Sequence, residues 1–209
     1  RIMRAIPNLL TGLRLALTLV VFLALIAAAG RLPGAPGAAS AAGRAILEPL
    51  ALGAFVIAAI TDFFDGMLAR RLGAVSVWGA ILDPIADKIL VCGAILGLVA
   101  LSPDPALALG GGLILFREFT VSALREVCAG RGVRLAVTLL AKWKTTVQLL
   151  ALVAEIVSSS WSALGLPANG TARGDYGLAA DALFWLATLI TLITGAQYLA
   201  SARAALKAS

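Results

Sequence analysis

Four aspartates crowd one short stretch of an otherwise apolar sequence. The chain holds eleven acidic residues, and four of them lie within residues 62–87: Asp62, Asp65, Asp83 and Asp87. At about 100° per residue of an α-helix, the first two are about 60° apart and the last two about 40° apart. Each pair therefore shares one helix face. Carboxylates in or near hydrocarbon are costly unless they face a partner, a cavity or a cation, so the four predict a cation site.

The ligand types available narrow the choice of metal. The chain contains no histidine, and its two cysteines, Cys92 and Cys128, are isolated and fit no metal-binding spacing. Hard carboxylate oxygens without thiol or imidazole favour Mg²⁺ or Mn²⁺. The absence of histidine also excludes Ser-His-Asp catalysis. The competing interpretation is that the aspartates cap helices or pair with neighbouring cations, namely Arg70, Arg71 and Lys88.

The composition shows what kind of protein must position these groups. Of the 209 residues, 61% are hydrophobic, 13% are charged and only 6% are aromatic. Soluble domains carry about 45–50% apolar and about 25% charged residues. The values exclude a soluble enzyme, a disordered chain and a disulfide scaffold, and they predict an all-α polytopic membrane protein. The net charge of +6 then reports topology and contact with anionic membrane lipids rather than nucleic acid.

Six apolar segments predict six transmembrane helices in a single membrane domain covering residues 1–209. The predicted spans are approximately 9–29, 47–69, 77–101, 106–128, 135–157 and 178–202. A Gly/Pro/Ala linker at 30–43 and a polar loop at 158–177 separate some of them. With a cytoplasmic N-terminus, fourteen of the seventeen Lys and Arg residues fall on the inner side. The positive-inside rule therefore places both termini, and the aspartates, at the cytoplasmic face.

A second group of charges stands in apolar helices near the same face: Arg117, Arg125, Lys142 and Lys144. The two arginines are about 80° apart around one helix, so both can flank one cleft. Cations in such positions are costly without a function, and arginine suits bidentate phosphate binding. We expect a pocket for the phosphate of an acceptor substrate. A structural ion-pair network with Glu118 and Glu126 is the alternative.

The spacing of the aspartates resembles a known signature. The pattern Asp62-x2-Asp65-Gly66-x2-Ala69-Arg70-x8-Gly79-x3-Asp83-x3-Asp87 is similar, at every fixed position and gap, to that of the CDP-alcohol phosphotransferase family. The resemblance extends beyond the motif. Residues 6–11 with Arg14, residues 116–126 and residues 142–146 resemble the bacterial branch of that family whose acceptor is glycerol 3-phosphate.

The resemblance implies transfer of a phosphatidyl group from CDP-diacylglycerol to an alcohol, with release of CMP. It implies that the four aspartates hold two divalent ions and that Asp87 is also the general base. Donor-binding positions carried over from the family are Asn8, Thr11, Arg14, Asp62, Gly66, Ala69, Arg70, Gly79 and Asp83. For Asn8, Thr11 and Arg14, a capping and topological role is equally open. A homodimer in a bacterial inner membrane is also implied.

The leading hypothesis is that the acceptor is sn-glycerol 3-phosphate and the product phosphatidylglycerophosphate. Inositol phosphate, serine or phosphatidylglycerol as acceptor remain alternatives within the same class. From another class, a cation transporter would use intramembrane aspartates to carry ions. The sequence lacks the duplicated half with broken helices that such a transporter would have. The transporter hypothesis also leaves the spacing of Gly66, Arg70 and Gly79 unexplained.

Overall fold

The computed structural model describes residues 2–35, 37–72, 77–133, 139–167 and 170–208. Within these ranges, side chains are described from residue 9 onward, except at 63–72, 77–81, 83, 84, 139, 142, 170 and 208. Every regular element in the described ranges is an α-helix. The elements are α1 (Ile2–Ala28), α2 (Ala41–Leu72), α3 (Val77–Leu101), α4 (Pro105–Gly130), α5 (Leu139–Ser159) and α6 (Gly170–Ala208).

The apolar character of the helices makes this a membrane protein. In the described part of the chain, four stretches are long and apolar enough to cross a bilayer: Leu9–Ala28, Ala41–Asp62, Pro105–Gly130 and Thr171–Lys207. Large apolar side chains face outward on several helices, among them Leu9, Phe116 and Leu178, each about 70% exposed. In water such a surface would drive aggregation, whereas lipid chains solvate it.

Local sequence signals define several helix ends. Asp104 caps α4 by accepting a hydrogen bond from the backbone N–H of Ala106 at 3.0 Å, and Pro105 occupies the first helical position. Gly30 ends α1 with a φ of +69°, and Gly132 follows α4 with a φ of +75°. Both are left-handed turns that glycine adopts without a steric penalty.

The helices pack in two groups that share one core. The most extensive contacts join α1 to α2 and α3, and α6 to α4 and α5. Glycines allow close approach where helices cross: a Cβ at Gly97 would lie 2.7 Å from Leu25, and one at Gly111 would lie 2.5 Å from Ile95. Close backbone contact through small residues is the usual way helices associate in membranes. This packing fixes which side chains of α1, α3 and α4 meet.

Two predicted loop boundaries were wrong. The third helix begins and ends as predicted, and the apolar stretch Leu9–Ala28 agrees with the first predicted span, although the helix α1 already begins at Ile2. The helix α2 starts at Ala41, inside the predicted linker. The predicted loop 158–177 is also wrong beyond residue 170, because α6 begins there. At 1.5 Å per residue, the 39 residues of α6 far exceed a hydrocarbon core of about 30 Å. Hydropathy detects only the apolar part of a helix, whereas the backbone hydrogen bonds of the helix extend into the polar residues on either side.

Candidate active site

A buried arginine joins the two carboxylates that the structure describes from the aspartate motif. The Arg14 side chain, on α1, has no exposed surface, and its Nη1 lies 2.6 Å from Oδ1 of Asp62 and 2.5 Å from Oδ1 of Asp87. Asp62 belongs to α2 and Asp87 to α3. Three helices therefore converge at one guanidinium. The carboxylates themselves remain accessible, with 31% and 51% of their side-chain surface exposed.

Other motif positions lie outside the described side chains: Asn8, Asp65, Gly66, Ala69, Arg70, Gly79, Asp83 and Lys142. Among the side chains that the structure does describe, no cluster of three or more potential metal ligands occurs. The two aspartates that are described have the ligand chemistry of a hard-cation site, although the Oδ1 atom of each is ion-paired with Arg14 in this structure. Because both Oδ1 atoms lie within 2.6 Å of one nitrogen, they are no further apart than about twice that distance. Converging carboxylate oxygens of this kind are the ligands that Mg²⁺ and Mn²⁺ prefer.

The remaining first-helix candidate with a described side chain is Thr11. It is buried, with 1% of its surface exposed, about one turn before Arg14. Thr11 therefore lies on the face of α1 that points into the protein. The Arg14 guanidinium pairs with carboxylates on two other helices, a contact that the sequence analysis did not predict.

The predicted base and three cations of the second group line the same cavity. A cavity of about 240 Å³ lies between α3, α4, α5 and α6, and its wall includes Asp87, Arg117, Arg125 and Lys144. This is smaller than the pockets of about 300–1,000 Å³ that hold drug-sized ligands, and it suits a small polar metabolite. The fold therefore brings Asp87 close to cations that are far from it in the sequence.

The charges around this cavity do not cancel. Four cationic and two acidic side chains line it, namely Lys88, Arg117, Arg125 and Lys144 against Asp87 and Glu118. Glu118 accepts from Nη1 of Arg117 at 3.3 Å and also binds Nζ of Lys144. The ion-pair network considered from the sequence is therefore present in part. A single carboxylate shared by two buried cations leaves an excess of positive charge, which favours an anionic ligand.

The sixth helix contributes to the site, and the sequence analysis missed it. Thr194 Oγ1 accepts a hydrogen bond from Nη2 of Arg117 at 3.0 Å, and Cζ of Arg117 lies 5.8 Å from the centre of the Tyr198 ring. Tyr198 also lines the cavity. The signal in the sequence was a polar pair four residues apart in an apolar helix, which places both on one face. Ser122 was missed as well; it accepts from Nζ of Lys88 at 2.5 Å.

An apolar groove adjoins the charged cavity. It has a volume of about 430 Å³, and its lining comes from α1, α3 and α4, including Leu15, Phe22, Leu96 and Phe119. Lys88 belongs to both linings. One side chain thus marks the border between a polar space and an apolar one.

The structure defines a helical membrane protein with two aspartates beside a cationic cavity, and comparison with known proteins identifies its family. Residues 4–194 match the CDP-alcohol phosphatidyltransferase family, so the chain belongs to that family. The resemblance inferred from the aspartate motif is confirmed.

Curated relatives narrow the comparison within the family. One from Cereibacter sphaeroides is 38% identical over 75% of this chain and 83% of its own length. One from Rickettsia bellii is 44% identical over 73% and 81%, and one from Escherichia coli K12 is 39% identical over 72% and 76%. All three relatives are named CDP-diacylglycerol–glycerol-3-phosphate 3-phosphatidyltransferase.

Proposed function

We propose that the chain transfers the phosphatidyl group of CDP-diacylglycerol to sn-glycerol 3-phosphate, giving phosphatidylglycerophosphate and CMP. The observation that carries this proposal is the shared cavity. Asp87, the candidate base, lines this cavity together with Arg117, Arg125 and Lys144. An acceptor held there by its phosphate presents its hydroxyl to the carboxylate. The names of the relatives support the same reaction.

The chemical step is a substitution at the phosphorus that carries the lipid. Asp87 takes the proton of the acceptor hydroxyl as the new O–P bond forms. The bond from that phosphorus to the oxygen bridging to the cytidylyl group breaks, and CMP leaves with its electron pair. A general base at such a step contributes about 10²–10⁴-fold. Asp87 suits this role because half of its side chain is exposed to the cavity region while Arg14 fixes one oxygen.

The metal and donor sites follow the aspartate motif. We propose that Asp62, Asp65, Asp83 and Asp87 hold two divalent ions, Mg²⁺ or Mn²⁺. Bound there, such ions would screen the pyrophosphate and stabilise the leaving group. Gly66, Ala69, Arg70 and Gly79, with Asn8, Thr11 and Arg14 from α1, are the proposed contacts of the nucleotide and its phosphates. The observed convergence of Asp62 and Asp87 on Arg14 supports a common site for α1, α2 and α3.

The apolar groove suits the lipid part of the donor. Its lining is almost entirely hydrocarbon, and Lys88 stands where it meets the charged cavity. We propose that one acyl chain lies in this groove, which would place the diacylglycerol phosphate beside the cavity that receives the acceptor. A donor anchored in this way need not leave the bilayer to react.

The placement of the protein in the membrane is also a proposal. We propose that residues 1–209 form one membrane domain whose six helices all cross a bacterial inner membrane. Both termini and the active site would face the cytoplasm, where the positive-inside rule puts them. A homodimer is proposed from the family membership together with the small residues on the helix surfaces.

The decisive experiment measures CMP release by the purified protein. CDP-diacylglycerol and Mg²⁺ or Mn²⁺ would be supplied with glycerol 3-phosphate, inositol phosphate, serine or phosphatidylglycerol in separate reactions. We expect CMP only with glycerol 3-phosphate, and we expect a chelator to abolish it. Release that depends on serine or inositol phosphate instead would overturn the acceptor. No acceptor-dependent CMP at all would overturn the enzyme assignment and favour ion transport.

A further inference from the structure

We propose that three residues of α6, Thr194, Gly195 and Tyr198, are positioning residues that hold the Arg117 guanidinium in place for the acceptor's phosphate. The inference rests on the proposed function, since it requires a phosphorylated acceptor in the cavity. It assigns a role in acceptor binding to α6, a helix that carries none of the motif aspartates. The structure shows α6 restraining Arg117 on three sides.

The first restraint is a hydrogen bond whose direction is fixed. Thr194 Oγ1 lies 2.9 Å from the carbonyl oxygens of both Ile190 and Thr191. The hydroxyl proton is donated to this backbone, so the oxygen's lone pairs are left to accept from Nη2 of Arg117 at 3.0 Å. A threonine arranged in this way cannot donate to the guanidinium or to a phosphate. It acts only as an acceptor that orients the arginine.

The second restraint is the face of an aromatic ring. The guanidinium carbon of Arg117 lies 5.8 Å from the Tyr198 ring centre, within the range at which a cation is attracted to the π face. Both side chains are buried, with 8% and 6% of their surface exposed. Burial strengthens such an attraction, because little water competes for the cation.

The third restraint is the space left by a glycine. A Cβ built on Gly195 would lie 2.8 Å from Cγ of Arg117, which is closer than two carbon atoms can approach. Any side chain at position 195 would therefore displace the aliphatic part of the arginine. The glycine lets the stem of Arg117 lie against the backbone of α6.

Together these contacts explain how a long, flexible side chain can serve as a specific phosphate ligand. Free arginine side chains occupy many rotamers, and binding must restrict them. Here α6 and Glu118 restrict Arg117 before the substrate arrives, and the residue still lines the cavity that contains Asp87. Preorganisation of this kind raises affinity for the acceptor without touching the reacting atoms.

The experiment compares variants of α6 with matched controls on the same helix. Thr194→Val removes the hydroxyl that binds Arg117; Thr188→Val removes an equally buried hydroxyl that bonds only to the backbone of Phe184 within the described contacts. Gly195→Ala introduces the clash, whereas Gly174→Ala, also on α6, has open space around its Cβ. Tyr198→Leu removes the aromatic face, and Tyr198→Phe keeps it.

Acceptor KM, donor KM, kcat and thermal midpoint in detergent are measured for each protein. We expect Thr194→Val to raise the KM for glycerol 3-phosphate about tenfold or more, the size expected for a lost hydrogen bond to a charged group. Gly195→Ala should raise the same KM because its Cβ displaces the Arg117 side chain. Tyr198→Leu should raise it about fivefold, with most of the loss recovered in Tyr198→Phe. The KM for CDP-diacylglycerol should stay close to that of the unmodified chain in every variant. The thermal midpoint should also stay close in Thr194→Val, whereas Gly195→Ala should lower it because of the clash. The Thr188 and Gly174 controls should match that chain in all four measurements.

Two results would overturn the inference while the proposed function stands. Unchanged acceptor KM values in all three α6 variants would show that Arg117 needs no positioning. An equal rise in the KM values for acceptor and donor, together with a lower thermal midpoint in all three variants, would show that these residues have only a structural role. If another phosphorylated alcohol proves to be the acceptor, the proposed function fails and the KM comparison is made with that alcohol. If only an unphosphorylated alcohol supports CMP release, both fail.

Discussion

The two halves of α2 use their charges in different ways. In its C-terminal half, Asp62 pairs with Arg14 of α1, which also binds Asp87 of α3. Near its N-terminal end, Arg44 Nε pairs at 2.6 Å with Glu48, one turn further along the same helix. The first arrangement joins three helices, and the second involves one.

A similar contrast separates the start of α4 from its middle. Asp104 at its start caps the helix to which it belongs, through the N–H of Ala106. Arg117, at its midpoint, binds Thr194 of α6 and lines the cavity with Asp87. Charges that satisfy their own helix stabilise local structure, whereas charges that join several helices around an open space can also act on a ligand. The difference predicts graded effects of mutation.

The largest effect is expected at Asp87. Asp87→Asn keeps the size of the side chain but removes the base, so CMP release should fall by about 10²–10⁴-fold. Nucleotide binding should be largely retained, which can be checked by titrating the variant with a CDP-lipid analogue. An Asp87→Asn protein with normal turnover would refute the assignment of the base.

The next largest effect is expected at Arg14. Arg14→Met leaves two carboxylates without the buried cation that joins them. Because these carboxylates are 31% and 51% exposed, water partly compensates for the lost partner, and the cost should be about 1–3 kcal/mol. The thermal midpoint in detergent should fall, together with activity. Arg14→Lys, which keeps the charge, serves as the control and should recover part of both. A stable and active Arg14→Met protein would show that the three-helix junction is dispensable.

Smaller effects are expected at the arginines of the cavity. Arg117→Ala should raise the KM for the acceptor about 10–100-fold, since the guanidinium is buried and charge-assisted bonds to phosphate are strong. Arg125 is exposed, so solvent and salt screen it, and Arg125→Ala should raise the same KM only about threefold. Steady-state kinetics at two ionic strengths would test the order. An unchanged KM in both variants would remove the acceptor pocket.

The smallest effect is expected at Asp104, whose side chain bonds only to its own helix within the described contacts. Asp104→Ala removes the cap of α4, which should lower the free energy of unfolding by about 1 kcal/mol. Because Asp104 bonds within its own helix, kcat and both KM values should not change. Thermal unfolding and CMP release measured on one preparation would show this separation. A large loss of turnover in this variant would contradict the contrast between local and interhelical charges.

Much of the candidate site was accessible from the sequence because it depends on spacing within single helices. The aspartate motif identified the family, and the pairing of Asp62 with Asp65 on one face needs only the helical repeat. Helix boundaries were less accessible. The predicted loop ended at residue 177, whereas α6 begins at Gly170, since a polar stretch can be a loop or a helix that projects beyond the bilayer.

The contacts between helices were not accessible at all. No spacing along the chain indicates that Arg14 lies between Asp62 and Asp87, because that depends on how α1 is rotated against α2 and α3. The rotation follows from packing, for example from Leu25 lying against Gly97. The same holds for Arg117 and α6, where a glycine and a threonine form the surface that receives the arginine.

The sequence by itself determined that this protein is a helical membrane enzyme of the CDP-alcohol phosphatidyltransferase family. The apolar composition shows that lipid must solvate the helices, and the fixed spacing of the aspartate motif indicates the chemistry. Both are properties of the chain alone. Only the tertiary structure decided which charges meet. It placed Asp87 and the cations Arg117, Arg125 and Lys144 around one cavity. It also placed Thr194 of α6 within hydrogen-bond distance of Arg117. The physical reason is that helix packing is cooperative and non-local, so the partners of a side chain are chosen by the whole bundle.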